Sequence, residues 1–263
     1  MSSAPDPQTV KHILTNAVEK YNRLEFIDTD PIQIPHSFSQ PSDIEIAGFL
    51  TATISWGQRK TIINNASNWM SYMDQAPTDF LLNASELELQ QVSKRMIHRT
   101  FQPQDALVYL RRLQAIYTSS SSLRQLFEKK FAEYGNPSDA ISEVRSQFMS
   151  PVPPPRTLKH FSNPATGSSA KRMNMFLRWM VRGDHSGVDF GLWTGISPAQ
   201  LHIPLDVHSG NVARELGILK RKQNDQKAVI ELTEYLRTLD PADPVKFDFA
   251  LFGLGAFKNN MFI

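Results

Sequence analysis

The chain has 263 residues, 41% of them hydrophobic, with 28 Lys and Arg against 26 Asp and Glu, a formal charge of +2, and no cysteine. That is enough chain to bury a sizeable core, and without cysteine there is no disulfide, no thiol nucleophile and no cysteine-held zinc or iron–sulfur cluster. No apolar run is long enough to cross a bilayer and "MSSAPDPQTV" lacks the basic and apolar regions of a signal peptide, so a cytoplasmic protein with no membrane partner is expected.

The signals along the chain are helical. Asp6 before Pro7 reads as an N-cap with proline at the first helical position, and Val10, Ile13, Leu14, Ala17, Val18 and Tyr21 share a face. Ser42 with Glu45 predicts a capping box that starts a helix carrying Ile46, Leu50 and Ile54 on one face. "GQRK" at 57–60 interrupts the pattern before a helix over about 61–73. Ser85 with Glu88 repeats the capping-box signal, and helices are predicted over about 103–117, 121–134 and 137–149.

The segment "SPVPPPRTLKHFSNPATGSS" holds five prolines and a glycine, which exclude a continuous helix or a central strand and mark a connection at about 150–167. A strong helix follows in "SSAKRMNMFLRWMVRG", capped by Ser168 or Ser169 and stopped by Gly183. Met173, Phe176, Leu177 and Met180 form its apolar face, while Lys171, Arg178 and Arg182 fall on one polar face. A connection over 188–205 carries a turn near 189–193. The last helices are predicted over about 207–216, 225–239 and 245–252, ended by Gly217, Asp240-Pro241 and Gly253. No alternating strand and no repeat interrupts this, so the fold class is all-α.

Charge is unevenly spread. From 144 to 183 there is no Asp or Glu, yet there are seven bases: Arg145, Arg156, Lys159, Lys171, Arg172, Arg178 and Arg182. Lys220, Arg221 and Lys222 make a second basic cluster. A polyanion-binding face requires such asymmetry, although basic patches often serve only solubility. The chain has no phosphate loop, no Gly-x-Gly-x-x-Gly, no Gly-x-Ser-x-Gly and no His-Glu-x-x-His. Its seven histidines show no ligand spacing, so no metal site is expected.

Two charged residues stand at helix N-termini. Lys171 lies in a first turn, where the positive end of the helix dipole works against another cation; a lysine disfavoured in its charged form is a candidate amine nucleophile. The plain alternative is an exposed lysine with its charge in water. Asp206, in "IPLDVHSGNVARELGI", sits where it would cap a helix and be held ionised. A fixed carboxylate can also stabilise positive charge developing on a sugar ring. Taken alone, Asp206 is better explained as an ordinary cap. Trp179 and Trp193 read as core residues.

The stretch "IPLDVHSGNVARELG" resembles the helix-hairpin-helix DNA glycosylase superfamily through Leu205, Asp206, Val207, His208, Arg214, Leu216 and Gly217. Bifunctional members carry a catalytic lysine early in the preceding helix, and Lys171 is the matching position. The 35 residues from Lys171 to Asp206 look more like the archaeal 8-oxoguanine glycosylases than the endonuclease III-like ones. Over nearly the whole chain the sequence is also similar to an uncharacterised bacterial family, through "DIEIAGFLTATISWGQRK", "NMFLRWMVR", "IPLDVH" and "DPVKFDFALFGLG". The Leu-Pro-Gly-Val-Gly hairpin of the superfamily is replaced by "NPATGSSAK", and its iron–sulfur cysteines are absent.

The resemblance implies one domain over 1–263, a two-lobed helical glycosylase-like fold with a central cleft. It implies a DNA glycosylase with AP lyase activity that flips out an oxidised purine such as 8-oxoguanine, with Lys171 as Schiff-base nucleophile and Asp206 as transition-state stabiliser. Gln58 is the candidate wedge, with Arg59 next and Lys60 beside them. Gly167, Ser168, Ser169, Arg172 and His208 are candidate contacts to nucleic acid. The implied partner is double-stranded DNA containing a damaged base, met by a monomer without cofactor. The alternatives are a non-catalytic nucleic-acid-binding protein of the same fold, and a scaffold that docks through the proline-rich connection.

Overall fold

The computed structural model describes residues 6–256. Among them are fourteen α-helices and four short 3-10 turns, with no strand beyond two isolated bridges. In chain order the helices are α1 (Pro7–Tyr21), α2 (Gln33–His36), α3 (Pro41–Thr53), α4 (Arg59–Tyr72), α5 (Pro77–Asn83), α6 (Glu86–Ser93), α7 (Pro103–Thr118), α8 (Leu123–Tyr134), α9 (Pro137–Phe148), α10 (Pro155–Leu158), α11 (Lys171–Val181), α12 (Val207–Glu215), α13 (Gln226–Leu239) and α14 (Phe247–Ala256). The all-α expectation holds. No described helix is long and apolar enough to cross a membrane.

The chain divides into two compact units, one of Met1–Phe26 with Asn163–Ile263, the other of Ile27–Ser162. The division at 162 falls inside the proline-rich connection. In the second unit, α3 is buried on every side from Ile44 to Thr53, the mark of a helix apolar all round. Phe49 on α3 meets Tyr109 of α7 at 6.0 Å and Phe148 of α9 at 5.2 Å between ring centroids, which ties three helices together. Proline, not the Ser42–Glu45 box, sets the start of α3: Pro41 is its first residue and no side chain caps it. Glu45 is buried instead and accepts from the Tyr117 hydroxyl at 2.8 Å. The Ser85–Glu88 box is present at α6 as expected.

In the first unit, one apolar cluster joins Val10 and Leu14 of α1, Val212 of α12, Leu232 and Leu236 of α13, and Phe247 and Leu251 of α14. Ile203 and Leu205, just before Asp206, are sealed into the same cluster, which anchors the start of α12. Helix α14 runs through Gly253 rather than ending there. A Cβ on Gly253 would lie 2.2 Å from the Tyr21 ring, and one on Gly255 2.9 Å from the His208 carbonyl oxygen. These glycines admit α1 and α12 to close approach.

The turn expected near 189–193 is absent. That segment lies along the end of α11, where the Phe190 and Trp193 N–H groups donate to the Trp179 and Met180 carbonyls at 2.8 and 2.9 Å. It thereby satisfies two carbonyls that the helix end leaves open. Trp179 and Trp193 are fully buried.

Candidate active site

Lys171 is the first residue of α11. Neither Ser168 nor Ser169 caps this helix; Ala170 stands at the cap in left-handed backbone, φ +44°. The arrangement is held by side chains: the Asn174 amide donates to the Ser169 carbonyl at 3.0 Å, and the Ser168 hydroxyl accepts from the Ala170 N–H at 3.2 Å. For a residue with a Cβ this backbone costs about 1 kcal/mol, and it turns the chain abruptly into the helix at Lys171.

Asp206 caps α12 with one oxygen only. Its Oδ1 accepts from the Ser209 N–H at 3.0 Å and from the Ser209 hydroxyl at 2.9 Å, while that hydroxyl accepts from the Asp206 N–H at 3.1 Å. The Asp206 carbonyl accepts from the Asn224 amide at 2.8 Å, and Asn224 is held in turn by Arg214 at 2.6 Å. Gly210 makes room for this brace, since a Cβ there would meet the Asn224 amide at 2.7 Å. The other carboxylate oxygen, Oδ2, lies 3.6 Å from the Lys171 Nζ. Burial pushes the Asp206 carboxyl up, but Lys171, the Ser209 N–H and hydroxyl, and His208 together hold it below the ordinary value of 3.8.

Behind this pair lies a buried charge network that the sequence reading missed. Arg178, on α11, is 3% exposed; it donates to Asp189 at 3.2 Å and to Asp248 of α14, and its guanidinium lies 4.3 Å from the Phe249 ring centroid. Arg182 is 2% exposed and bonds Asp189 at 3.1 Å, Asp243 at 2.8 Å and Asp184. Burial pushes Asp248 up to about 7; Arg178 opposes that, Asp206 adds to it, Lys171 opposes it and Asp189 adds to it. One signal was available: Asp248 is the lone charge in "FDFALFGLG", an otherwise apolar helix.

This network corrects the reading of the basic segment. Lys171, Arg178 and Arg182 do share a face of α11, but the two arginines turn it inward to carboxylates. Elsewhere in the segment Arg145 donates to the Phe161 carbonyl at 2.6 Å, and Arg156 to the fully buried Asp105 at 3.0 Å. In the second cluster Arg221 pairs with Asp225, while Lys220 and Lys222 are exposed. Of the seven bases from 144 to 183, Arg156, Lys171, Arg178 and Arg182 lie against carboxylates.

The remaining candidates are placed as follows. Gln58 and Lys60 are exposed and Arg59 is half-buried, at the start of α4, in the other unit from Lys171 and Asp206. Gly57, at φ +99°, precedes them and lies against the Arg99 side chain. Gly167 is exposed at φ +90°; its N–H donates to the Pro164 carbonyl at 2.9 Å and its own carbonyl accepts from Gln226 at 3.0 Å. The Ser168 N–H donates to the Asn163 carbonyl at 3.4 Å. With the Ala170 N–H donating to the Ser168 hydroxyl, the N–H groups of Gly167, Ser168 and Ala170 have partners within the loop. Ser169 and Arg172 are half-buried beside Lys171, and His208 is exposed with its ring edge-on to Phe252 at 6.1 Å. Among the described residues no cluster of three or more His, Asp or Glu could hold a metal ion.

Comparison with known families places the geometry in context: a family model described as "Protein of unknown function (DUF2400)" matches residues 30–257. The chain belongs to the DUF2400 family. No curated protein and no solved structure matches it. The DUF2400 match includes Lys171, Asp206, Asp248 and the Gln58 loop, and leaves out α1. The four segments on which the whole-chain likeness rests all lie inside it.

Proposed function

We propose that this protein is a DNA glycosylase with AP lyase activity, acting on an oxidised purine such as 8-oxoguanine in double-stranded DNA. The observation that carries the reading is the Lys171–Asp206 pair, 3.6 Å apart, each at a helix N-terminus. The resemblance around "IPLDVH" supplies the chemistry. It also carries the two-lobed form with a central cleft, into which the damaged nucleotide is flipped.

In this reaction the Lys171 ammonium first gives up a proton, and Asp206 Oδ2 is the adjacent acceptor. The amine then attacks C1′ as the glycosidic bond breaks, and the bond's electron pair leaves with the base, which takes up a proton. Asp206, ionised again once that proton has passed to the departing base, stabilises the positive charge that develops on the sugar. Opening of the sugar ring gives an imine between Nζ and C1′; loss of the C2′ proton then expels the 3′ phosphate and cleaves the strand.

Borohydride trapping on duplexes containing 8-oxoguanine, uracil or an abasic site tests this. A covalent adduct is expected that disappears in Lys171→Ala. Asp206→Asn is expected to slow base release by about 100-fold or more. If every duplex binds and none is trapped, the abasic one included, the lyase reading falls and a non-catalytic nucleic-acid-binding role replaces it.

A further inference from the structure

We propose that Asn224, Asp225 and Gln226, consecutive residues at the start of α13, form a brace that fixes the separation of Lys171 from Asp206, with Asn224 as its positioning residue. The value of the brace for base removal rests on the glycosylase reading; the brace itself does not.

On the Asp206 side, Asn224 stands in the middle of a chain of bonds. Its amide donates to the Asp206 carbonyl at 2.8 Å, and its side-chain oxygen accepts from Arg214 at 2.6 Å. Arg214 also donates to the Arg221 carbonyl at 2.8 Å, so the turn before α13 is held at two points. Asn224 thus grips the backbone of Asp206 and not its carboxylate, which leaves Oδ1 to Ser209 and Oδ2 to Lys171.

On the Lys171 side the next two residues take over. Asp225 faces Ser168 in an isolated antiparallel bridge, and the Gln226 N–H donates to the Gly167 carbonyl at 3.0 Å. Two bonds carry that anchor into α11: the Ala170 N–H donates to the Ser168 hydroxyl at 3.2 Å, and the Asn174 amide to the Ser169 carbonyl at 3.0 Å. Ala170, 1% exposed, is the last residue before Lys171. Asp225 is fixed in its turn, accepting from the Ala228 N–H at 3.1 Å and pairing with Arg221. All these residues belong to the first unit. Two side chains 35 residues apart in sequence therefore hang from one tripeptide, and loosening either arm frees one from the other. A misplacement of about 1 Å between reacting groups can cost about 100-fold in rate, so such a tie matters beyond its own hydrogen bonds.

Two variants of the full-length protein test the brace. Asn224→Ala removes the amide. Gly210→Ala presses on it, since the new Cβ would lie 2.7 Å from the Asn224 side-chain oxygen, although alanine favours helix α12. In amide hydrogen exchange read by NMR, the Ala170 N–H should exchange about fivefold faster or more in both variants. Helix α7, in the other unit, should keep its wild-type rates. On a duplex containing 8-oxoguanine, kcat should fall about tenfold or more while KM stays within about twofold of wild type. Ala170 exchange that stays at the wild-type rate overturns the brace, and faster exchange with an unchanged kcat overturns the positioning role. Should Asn224→Ala fail to fold, Gly210→Ala decides alone. If the wild type releases no base from any duplex, the glycosylase reading falls, and the Ala170 exchange still decides whether the brace exists.

Discussion

Arg182→Ala separates a structural arginine from one that serves nucleic acid. The side chain is 2% exposed and holds three carboxylates. Asp184 and Asp243 retain 21% and 24% of their side-chain exposure, so after truncation water can reach them and each loss is at most about 1 kcal/mol. Asp189 is different: its side chain is fully buried and would keep only Arg178, at 3.2 Å. Leaving a buried charge under-compensated costs about 3 kcal/mol, and lost packing of the arginine stem adds to that. A total of about 4 kcal/mol is expected, a large share of the usual stability of about 5–15 kcal/mol and equivalent to a fall in Tm of about 10 °C. Urea unfolding followed by circular dichroism measures it. Arg111→Ala, which breaks the exposed pair with Glu86, should leave the midpoint almost unmoved. If Arg182→Ala unfolds within about 1 kcal/mol of wild type, and its salt slope for duplex binding falls by about one unit, Arg182 acts outward and the reasoning fails.

Two further outcomes follow from particular contacts. Gly253→Ala should destabilise by about 2 kcal/mol because its Cβ would lie 2.2 Å from the Tyr21 ring; an equal loss in a Tyr21→Ala background would show that the ring is not the cause. His202 is 7% exposed, and burial, then Arg237, lowers it from 6.5 to about 4. The unfolded chain therefore binds the extra proton first. This contribution to stability is complete above about pH 6.5 and declines by about 3 kcal/mol as pH falls to about 4. His202→Gln should flatten that decline in urea titrations at pH 7, 5.5 and 4.5; parallel curves would rule His202 out as its source.

Local chemistry was legible and partnership across the chain was not. Proline at a helix start and a side-chain oxygen two or three residues ahead of an N–H act within one turn, so α1 and α6 can be read from the sequence around Asp6 and Ser85. The Ser42–Glu45 pattern has the same spacing but failed, because Glu45 finds Tyr117 across 72 residues. Arg178 and Arg182 failed for a similar reason: spacing puts them on one face, but their acids lie up to 70 residues away. Gly253 has the composition of a helix stop, yet what decides its role is the Tyr21 ring on α1. In each case the deciding contact is tertiary, and only its local half is written nearby.

Asp206 shows how both of its sequence readings, helix cap and chemical group, can hold at once. A carboxylate has two oxygens, and capping an N-terminus needs only one. Here Oδ1 takes both Ser209 donors, which fixes the plane of the group, and Oδ2 remains for Lys171. Asparagine in its place keeps an acceptor for the cap while removing the charge toward the lysine. Asp206→Asn therefore tests chemistry with little disturbance of the helix, whereas Ser209→Ala loosens the carboxylate's orientation without altering its charge. A pure cap would register both changes mainly in stability. A carboxylate that works on a substrate would register the first in rate, with stability nearly intact.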